Sequence, residues 1–261
     1  MCLLTFFPAG VLPETSALIN GTYTNGDGHG FAIVAENQIL VRHGMDGEAM
    51  VDAFAAARQE HPDGPALFHS RITTAGRTNV DNCHPFQVGG DRRTVLAHNG
   101  VLPHNVQPAM GDSRSDTRIT AEDFLPRQIG SLHLRRNRLL FERWMTPHNK
   151  MVILTVNRRF KKRAYILNED SGIWDGGIWY SNDSYLPLDP RWANSRWDWP
   201  LWGRAVADLD RCMQCNALVD LDDGACWYCG WCFDCGELPQ DCFCYTPAAL
   251  DSRLSGDSWG R

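Results

Sequence analysis

The sequence predicts an α+β protein built on antiparallel hairpins, followed by a small cysteine-rich module. Three observations predict it. Paired apolar runs separated by short polar turns recur through the first 185 residues, which is how hairpins read. Stretches with helical spacing of apolar residues lie between them. Eight of the ten cysteines fall between Cys212 and Cys244, which marks a separate module.

The elements follow in chain order. "GFAIVAENQILVRHG" reads as two strands turning at Glu36-Asn37-Gln38. "GEAMVDAFAAARQEH" reads as a helix with Met50, Val51, Phe54 and Ala57 on its apolar face. "PALFHSRIT" and "RRTVLAHNG" read as strands, and "SDTRITAEDFL" opens a helix capped by Ser115 or Asp116. "KMVILTVNRRFKKRAYILNED" is the clearest hairpin, with the basic tip "NRRFKK". That tip reads first as a solvated turn and second as a patch for an acidic partner. Residues 186–203 hold three prolines and four tryptophans without a period and read as a linker whose tryptophans pack on the main domain. The expected layout is a main domain at 2–185, the linker at 186–203, the cysteine module at 204–245 and a poorly ordered tail at 246–261.

Composition narrows the function. Hydrophobic content of 43% and charged content of 21% are ordinary for a globular chain. No apolar run is long enough to span a membrane. "MCLLTFFPAG" has no leading basic residue and is broken by Pro8 and Gly10, so it does not read as a signal peptide, and a cytoplasmic protein is expected. The segment from Arg204 to Cys244 carries two arginines against eight carboxylates, a net of −6, equal to the charge of the whole chain. That argues against direct nucleic-acid binding by the module.

Two features point to chemistry. Cysteine is the second residue. Removal of Met1, expected when residue 2 is small, would leave the Cys2 thiol beside a free α-amine of pKa near ~8. Nucleophile and base would then sit on one residue. The plain alternative is a small apolar residue opening a strand. The second feature is "VLAHNG", a strand that stops on His98-Asn99-Gly100. Asn-Gly is a turn signal. It is also a way to aim a side-chain amide and a backbone N–H at a developing oxyanion.

Four further stretches share this order: "NGDGHG" at 25–30, "FHSRITTAGRTNVDNCHPF" at 68–86, "AHNG" at 97–100 and "SDTR" at 115–118. Together with Cys2, and with "EDSGIWDGGIWYSNDSY" late in the chain, they resemble the class II glutamine amidotransferase domain of the Ntn-hydrolase superfamily. The resemblance spans residues 2–185. It implies an αββα sandwich of two antiparallel sheets. It implies Cys2 as nucleophile, with Asn99 and Gly100 as the oxyanion hole. It implies Arg71 for the α-carboxylate of glutamine, Asp116 for the α-ammonium and His84 as a pocket residue. Free glutamine suits such a pair, since an arginine forks onto a carboxylate. His69 and His98 are read as structural. Ile72 stands where many members have tryptophan, Cys83 replaces a commoner alanine, and "NGDGHG" matches the small members. These departures bear on substrate detail more than on reaction type.

The cysteines form the pairs Cys212/Cys215, Cys226/Cys229, Cys232/Cys235 and Cys242/Cys244. Eight thiolates make two tetrahedral zinc sites, in sequential or cross-braced pairing. An iron–sulfur cluster is the rival, because Cys226, Cys229 and Cys232 copy a ferredoxin-like start, but the spacing beyond does not continue it. Such all-thiolate zinc sites are structural, and the acidic module reads as a protein-docking element. The function expected is hydrolysis of glutamine to glutamate and ammonia through a thioester on Cys2. The ammonia would pass to a separate acceptor enzyme, since the remaining chain is too short for a synthase domain. The alternatives are an Ntn amidase acting on another γ-glutamyl compound and a non-catalytic adaptor that keeps the fold.

Overall fold

The computed structural model describes residues 2–187, 210–211, 218–219 and 232. The chain divides into two units, Met1–Asp189 and Pro190–Arg261. Among the described residues of the second unit, β11 (Asp210–Arg211) pairs antiparallel with β12 (Leu218–Val219).

In the first unit, β1 (Leu3–Phe7), β2 (His29–Ala35), β3 (Gln38–Gly44), β4 (Ala66–Ser70), β9 (Ile173–Asp175) and β10 (Ile178–Tyr180) form one sheet, in the order β3-β2-β4-β1-β10-β9. β5 (Phe86–Val88), β6 (Asp91–Asn99), β7 (Lys150–Thr155) and β8 (Ala164–Leu167) form a second sheet in chain order. Every pairing is antiparallel. The β2–β3 hairpin turns through Glu36, at φ 52°. Helices α1 (Thr15–Thr24) and α2 (Gly47–Glu60) lie on the first sheet. The second sheet is covered by α3 (Asp116–Ile119), the wider π-helical turns Thr120–Ile129 that continue it, and α4 (Arg135–Met145). The result is the expected αββα sandwich.

Three apolar layers hold it. Leu4, Phe6, Ala32, Leu67, Val95, Ala97, Val152, Leu154 and Trp179 fill the space between the sheets. Leu3, Phe7, Phe31 and Phe68 face the other way, under α1 and α2. Both faces of β1 are covered, which is why "LLTFF" carries apolar residues on both faces, broken only by the buried Thr5, rather than alternating. Phe54 of α2 anchors the outer layer, with ring centroids 5.1–5.4 Å from Phe7, Phe31 and Phe68. Behind the second sheet, Leu96, Leu125, Phe141, Met151 and Ile153 make the third layer. The strand expected through "HSRIT" ends at Ser70, and Arg71 begins an irregular loop. Pro126 lies inside the π-helical turns, where it has no N–H to give to a regular helical ladder.

Candidate active site

The alternation of β1 decides where Cys2 points. Leu4 and Phe6 belong to the layer between the sheets, so Cys2, two residues before Leu4, enters the same layer at its end. It is buried, and its sulfur accepts from the Ile72 N–H at 3.3 Å and lies 3.4 Å from the Ile72 carbonyl. Its own carbonyl accepts from Asn182 Nδ2 at 2.8 Å. Burial pushes the thiol pKa up; the Ile72 N–H and the Arg71 charge pull it back, and Asp116 raises it.

Asn99 approaches from the facing sheet. Its Nδ2 donates to Ser181 Oγ at 2.8 Å, and that oxygen also accepts from Leu4 N at 2.9 Å. The amide is therefore tied across the layer to the strand that carries Cys2. Its Oδ1 is enclosed and has no partner. Asn99-Gly100 is not a hairpin turn, since β6 pairs next with β7, fifty residues on. Gly100 sits at φ 138°, and a Cβ there would come within 2.3 Å of Asn149 Oδ1. Only glycine fits.

Arg71 and Asp116 complete the cluster. Arg71 is 3% exposed, its NH1 donating to Arg77 O at 3.0 Å and its NH2 to Ala75 O at 2.8 Å. Its backbone is fixed to Gly28 O and Asp27 N. Asp116 is 4% exposed and accepts from Leu102 N at 2.9 Å and Thr117 N at 2.7 Å. Ser115 is the cap of its helix, accepting from Arg118 N, and Asn82 holds Ser115 N in turn. Neither charged group has an ion-pair partner among the described residues. A buried cation and a buried anion, both felt at Cys2, are complementary to an amino-acid zwitterion.

The histidines form a chain beside this cluster. His69 Nε2 lies 2.9 Å from the His98 carbonyl, which can only accept, so that nitrogen carries a proton. His84 Nδ1 lies 2.9 Å from the same nitrogen, so it is bare and the His84 proton sits on Nε2. Burial is the main cause that lowers all three imidazoles, His69 to about 3, His84 well below its ordinary value and His98 downward. They are neutral at physiological pH.

The structure thus brings Cys2, Asn99, Arg71 and Asp116 to one end of the sandwich, with His84 linked through His69. Gly100 follows Asn99 there. Sequence reasoning gave no role to Ser181, Asn182, the Ile72 backbone or Asp27, whose Oδ2 accepts from Thr73 N at 2.7 Å. Their positions depend on strand register, which no local pattern announces. Seven of the eight expected zinc ligands, Cys212, Cys215, Cys226, Cys229, Cys235, Cys242 and Cys244, lie outside the described residues; Cys232 is buried in an isolated bridge. Most of the 186–203 linker also lies outside them. Among the described residues there is no cluster of three or more metal-ligating side chains, and no helix is long and apolar enough to cross a membrane.

Residues 18–120 match the family model of class II glutamine amidotransferases. Cys2 lies N-terminal to the matched range. Among solved structures, the chain is similar to the glutamine phosphoribosylpyrophosphate amidotransferase from B. subtilis complexed with ADP and GMP. Identity there is 15% and the TM-score 0.43, over 69% of this chain and 41% of that one. The same figures hold for a structure of the allosteric regulatory enzyme of purine biosynthesis. A glutamine aminotransferase class-II domain protein from Silicibacter pomeroyi is 18% identical, with TM-score 0.31, over 60% of this chain and 73% of that one. The chain therefore spans 41% of the length of the first two. No curated protein matches the chain. The similarity to class II glutamine amidotransferases covers the residues that carry Arg71, His84, Asn99, Gly100 and Asp116.

Proposed function

We propose that the protein hydrolyses the side-chain amide of glutamine and supplies the ammonia to a separate acceptor enzyme. The observation that carries this reading is the cluster of a buried thiol, an unpaired arginine, an unpaired aspartate and an amide with an unpartnered oxygen at one end of the sandwich. Arg71 has three of its five N–H groups left for the α-carboxylate of glutamine. Asp116 receives the α-ammonium. Cys2 attacks the amide carbon, its thiol proton passing to the α-amine freed by loss of Met1. The second hydrogen of Asn99 Nδ2 and the Gly100 N–H meet the oxyanion. Collapse of the tetrahedral adduct breaks the C–N bond and releases ammonia, and water then cleaves the thioester to glutamate. His84 presents its Nε2–H as a pocket donor. On the spacing of the cysteines, two zinc ions held by Cys212 to Cys244 fold the C-terminal module, which docks protein rather than reacting. The test is ammonia release from glutamine by the purified chain.

One observation favours a second reading. The Cys2 sulfur is held by both the N–H and the carbonyl of Ile72, and burial raises its pKa. A non-catalytic adaptor would keep it so. Intact mass decides between them: Met1 retained in folded protein supports the adaptor, and Met1 removed supports the enzyme.

A further inference from the structure

The end of the sandwich that holds Cys2 and Asn99 also holds a lysine that the proposed chemistry does not use. Lys150 opens β7 and pairs directly with Asn99 of β6. Directly opposed residues of an antiparallel pair point to the same face, with Cα atoms about 4.5–5.5 Å apart. Asn99 reaches across the layer to Ser181, and Val152 and Leu154, two and four residues after Lys150, lie in the inner core. Alternation therefore aims Lys150 inward, at the end where Cys2 enters from the opposite sheet.

Lys150 is only 8% exposed, yet its ammonium makes no hydrogen bond and no ion pair among the described residues. A structural lysine ends on a carboxylate or a carbonyl; this one has no such partner, and its stem is buried while its ammonium is not among the enclosed polar atoms. Burial lowers its pKa, and its charge adds to the lowering of the His98 pKa. A half-buried ammonium without a counter-charge detracts from stability. Asn99 Oδ1, on the residue opposite it, is enclosed and unpartnered. An unpartnered amide oxygen and an ammonium without a counter-charge, on opposed residues of the face that Cys2 shares, mark a place suited to a charge that forms during reaction.

Resting on the glutaminase reading, we propose that Lys150 is a further electrostatic residue of this site, stabilising the negative charge that develops on the amide oxygen beside Asn99 and Gly100. In that step the C–S bond forms as the carbonyl π pair moves onto oxygen. The adduct then returns that pair, the C–N bond breaks, and the nitrogen leaves as ammonia with the proton that the thiol gave up. Lys150 exchanges no proton; its fixed charge lowers the energy of the adduct relative to bound glutamine. The effect belongs to kcat rather than to KM.

The experiment compares the full chain with its Lys150→Met and Lys150→Arg variants, by ammonia release against glutamine concentration and by thermal melting. Methionine fills the same space without the charge. Lys150→Met is expected to lower kcat by about tenfold or more, to leave KM for glutamine within about twofold, and to raise Tm. Lys150→Arg keeps the charge and recovers most of kcat. The opposite signs are the signature, because a merely structural lysine would lose stability and activity together. Wild-type kcat in Lys150→Met, a fall of kcat and Tm together, or arginine no better than methionine overturns the inference alone. A wild-type chain lacking Met1 that releases no ammonia overturns the glutaminase reading and this inference with it.

Discussion

Two buried arginines lie at opposite ends of β1, and they are built differently. Arg58, fully buried near the end that carries Pro8, donates to four carbonyls, those of Val11, His61, Gly64 and Pro8. Arg71, at the end that carries Cys2, donates to two. One guanidinium spends four of its five N–H groups on backbone and ties loops together. The other is held by the backbone and left with donors to spare. The lesson is that burial alone does not identify a binding residue; the unspent hydrogen-bonding capacity does.

The comparison can be broken most sharply at Arg58. Arg58→Ala removes a donor from four carbonyls, of which Pro8 O alone keeps another, the Val11 N–H, and opens a hole at a loop junction. Urea unfolding is expected to show a loss of about 3–5 kcal/mol. A loss below about 1 kcal/mol would mean that the four bonds are not structural.

Arg71→Ala is the mirror experiment. It removes two neutral acceptors' donors but also an unpaired buried charge, so stability should move by about 1 kcal/mol or less. KM for glutamine should rise by the equivalent of about 2–4 kcal/mol. Arg71→Lys is expected to restore little, since an ammonium cannot fork onto a carboxylate. Glutamine handled normally by both variants would remove Arg71 from the site. Asp116→Ala is expected to behave like Arg71→Ala at the ammonium end.

A smaller effect separates the two ends by pH. His69, His84 and His98 cluster beside the Arg71 end and stay neutral when folded, with His69 lowered from 6.5 to about 3. The unfolded chain takes up protons near pH 6.5, so their contribution is intact above that pH. For His69 it is lost as pH falls from 6.5 towards 3, at up to about 1.4 kcal/mol per pH unit, and His84 and His98 act in the same direction below 6.5. Urea midpoints at pH 7.5 and 5.5 measure it, and equal midpoints would contradict neutral burial of the cluster. Smallest in effect on this unit is metal removal. The purified chain is expected to carry two zinc ions. Chelation should change the cysteine module without abolishing ammonia release, and elemental analysis showing iron, or no metal in reduced protein, would rule zinc out.

Strands such as His29–Ala35 were legible because a layer covered on both faces demands a nearly unbroken apolar run, here Phe31–Ala35. Two helices were not. α1 carries Gly21 and three threonines, poor helix formers, and Gly21 is there because a Cβ would meet Leu3 at 2.4 Å. α4 hides its apolar face among four arginines, with Phe141 and Met145 alone fully buried. In the site, Cys2, Arg71, Asn99 and Asp116 stand in readable motifs. Ser181, Asn182 and Lys150 do not, because each enters through pairing with a strand distant in sequence.

The difference between the two ends of β1 matters only if the Cys2 end is chemical. The most direct measurement is ammonia release from glutamine by the purified chain and by its Cys2→Ala variant, with the intact mass of each recorded. Wild-type protein lacking Met1 is expected to release ammonia, and folded Cys2→Ala none. Release that survives in Cys2→Ala, or its absence from folded wild-type protein that has lost Met1, would contradict the assignment of Cys2 as the nucleophile.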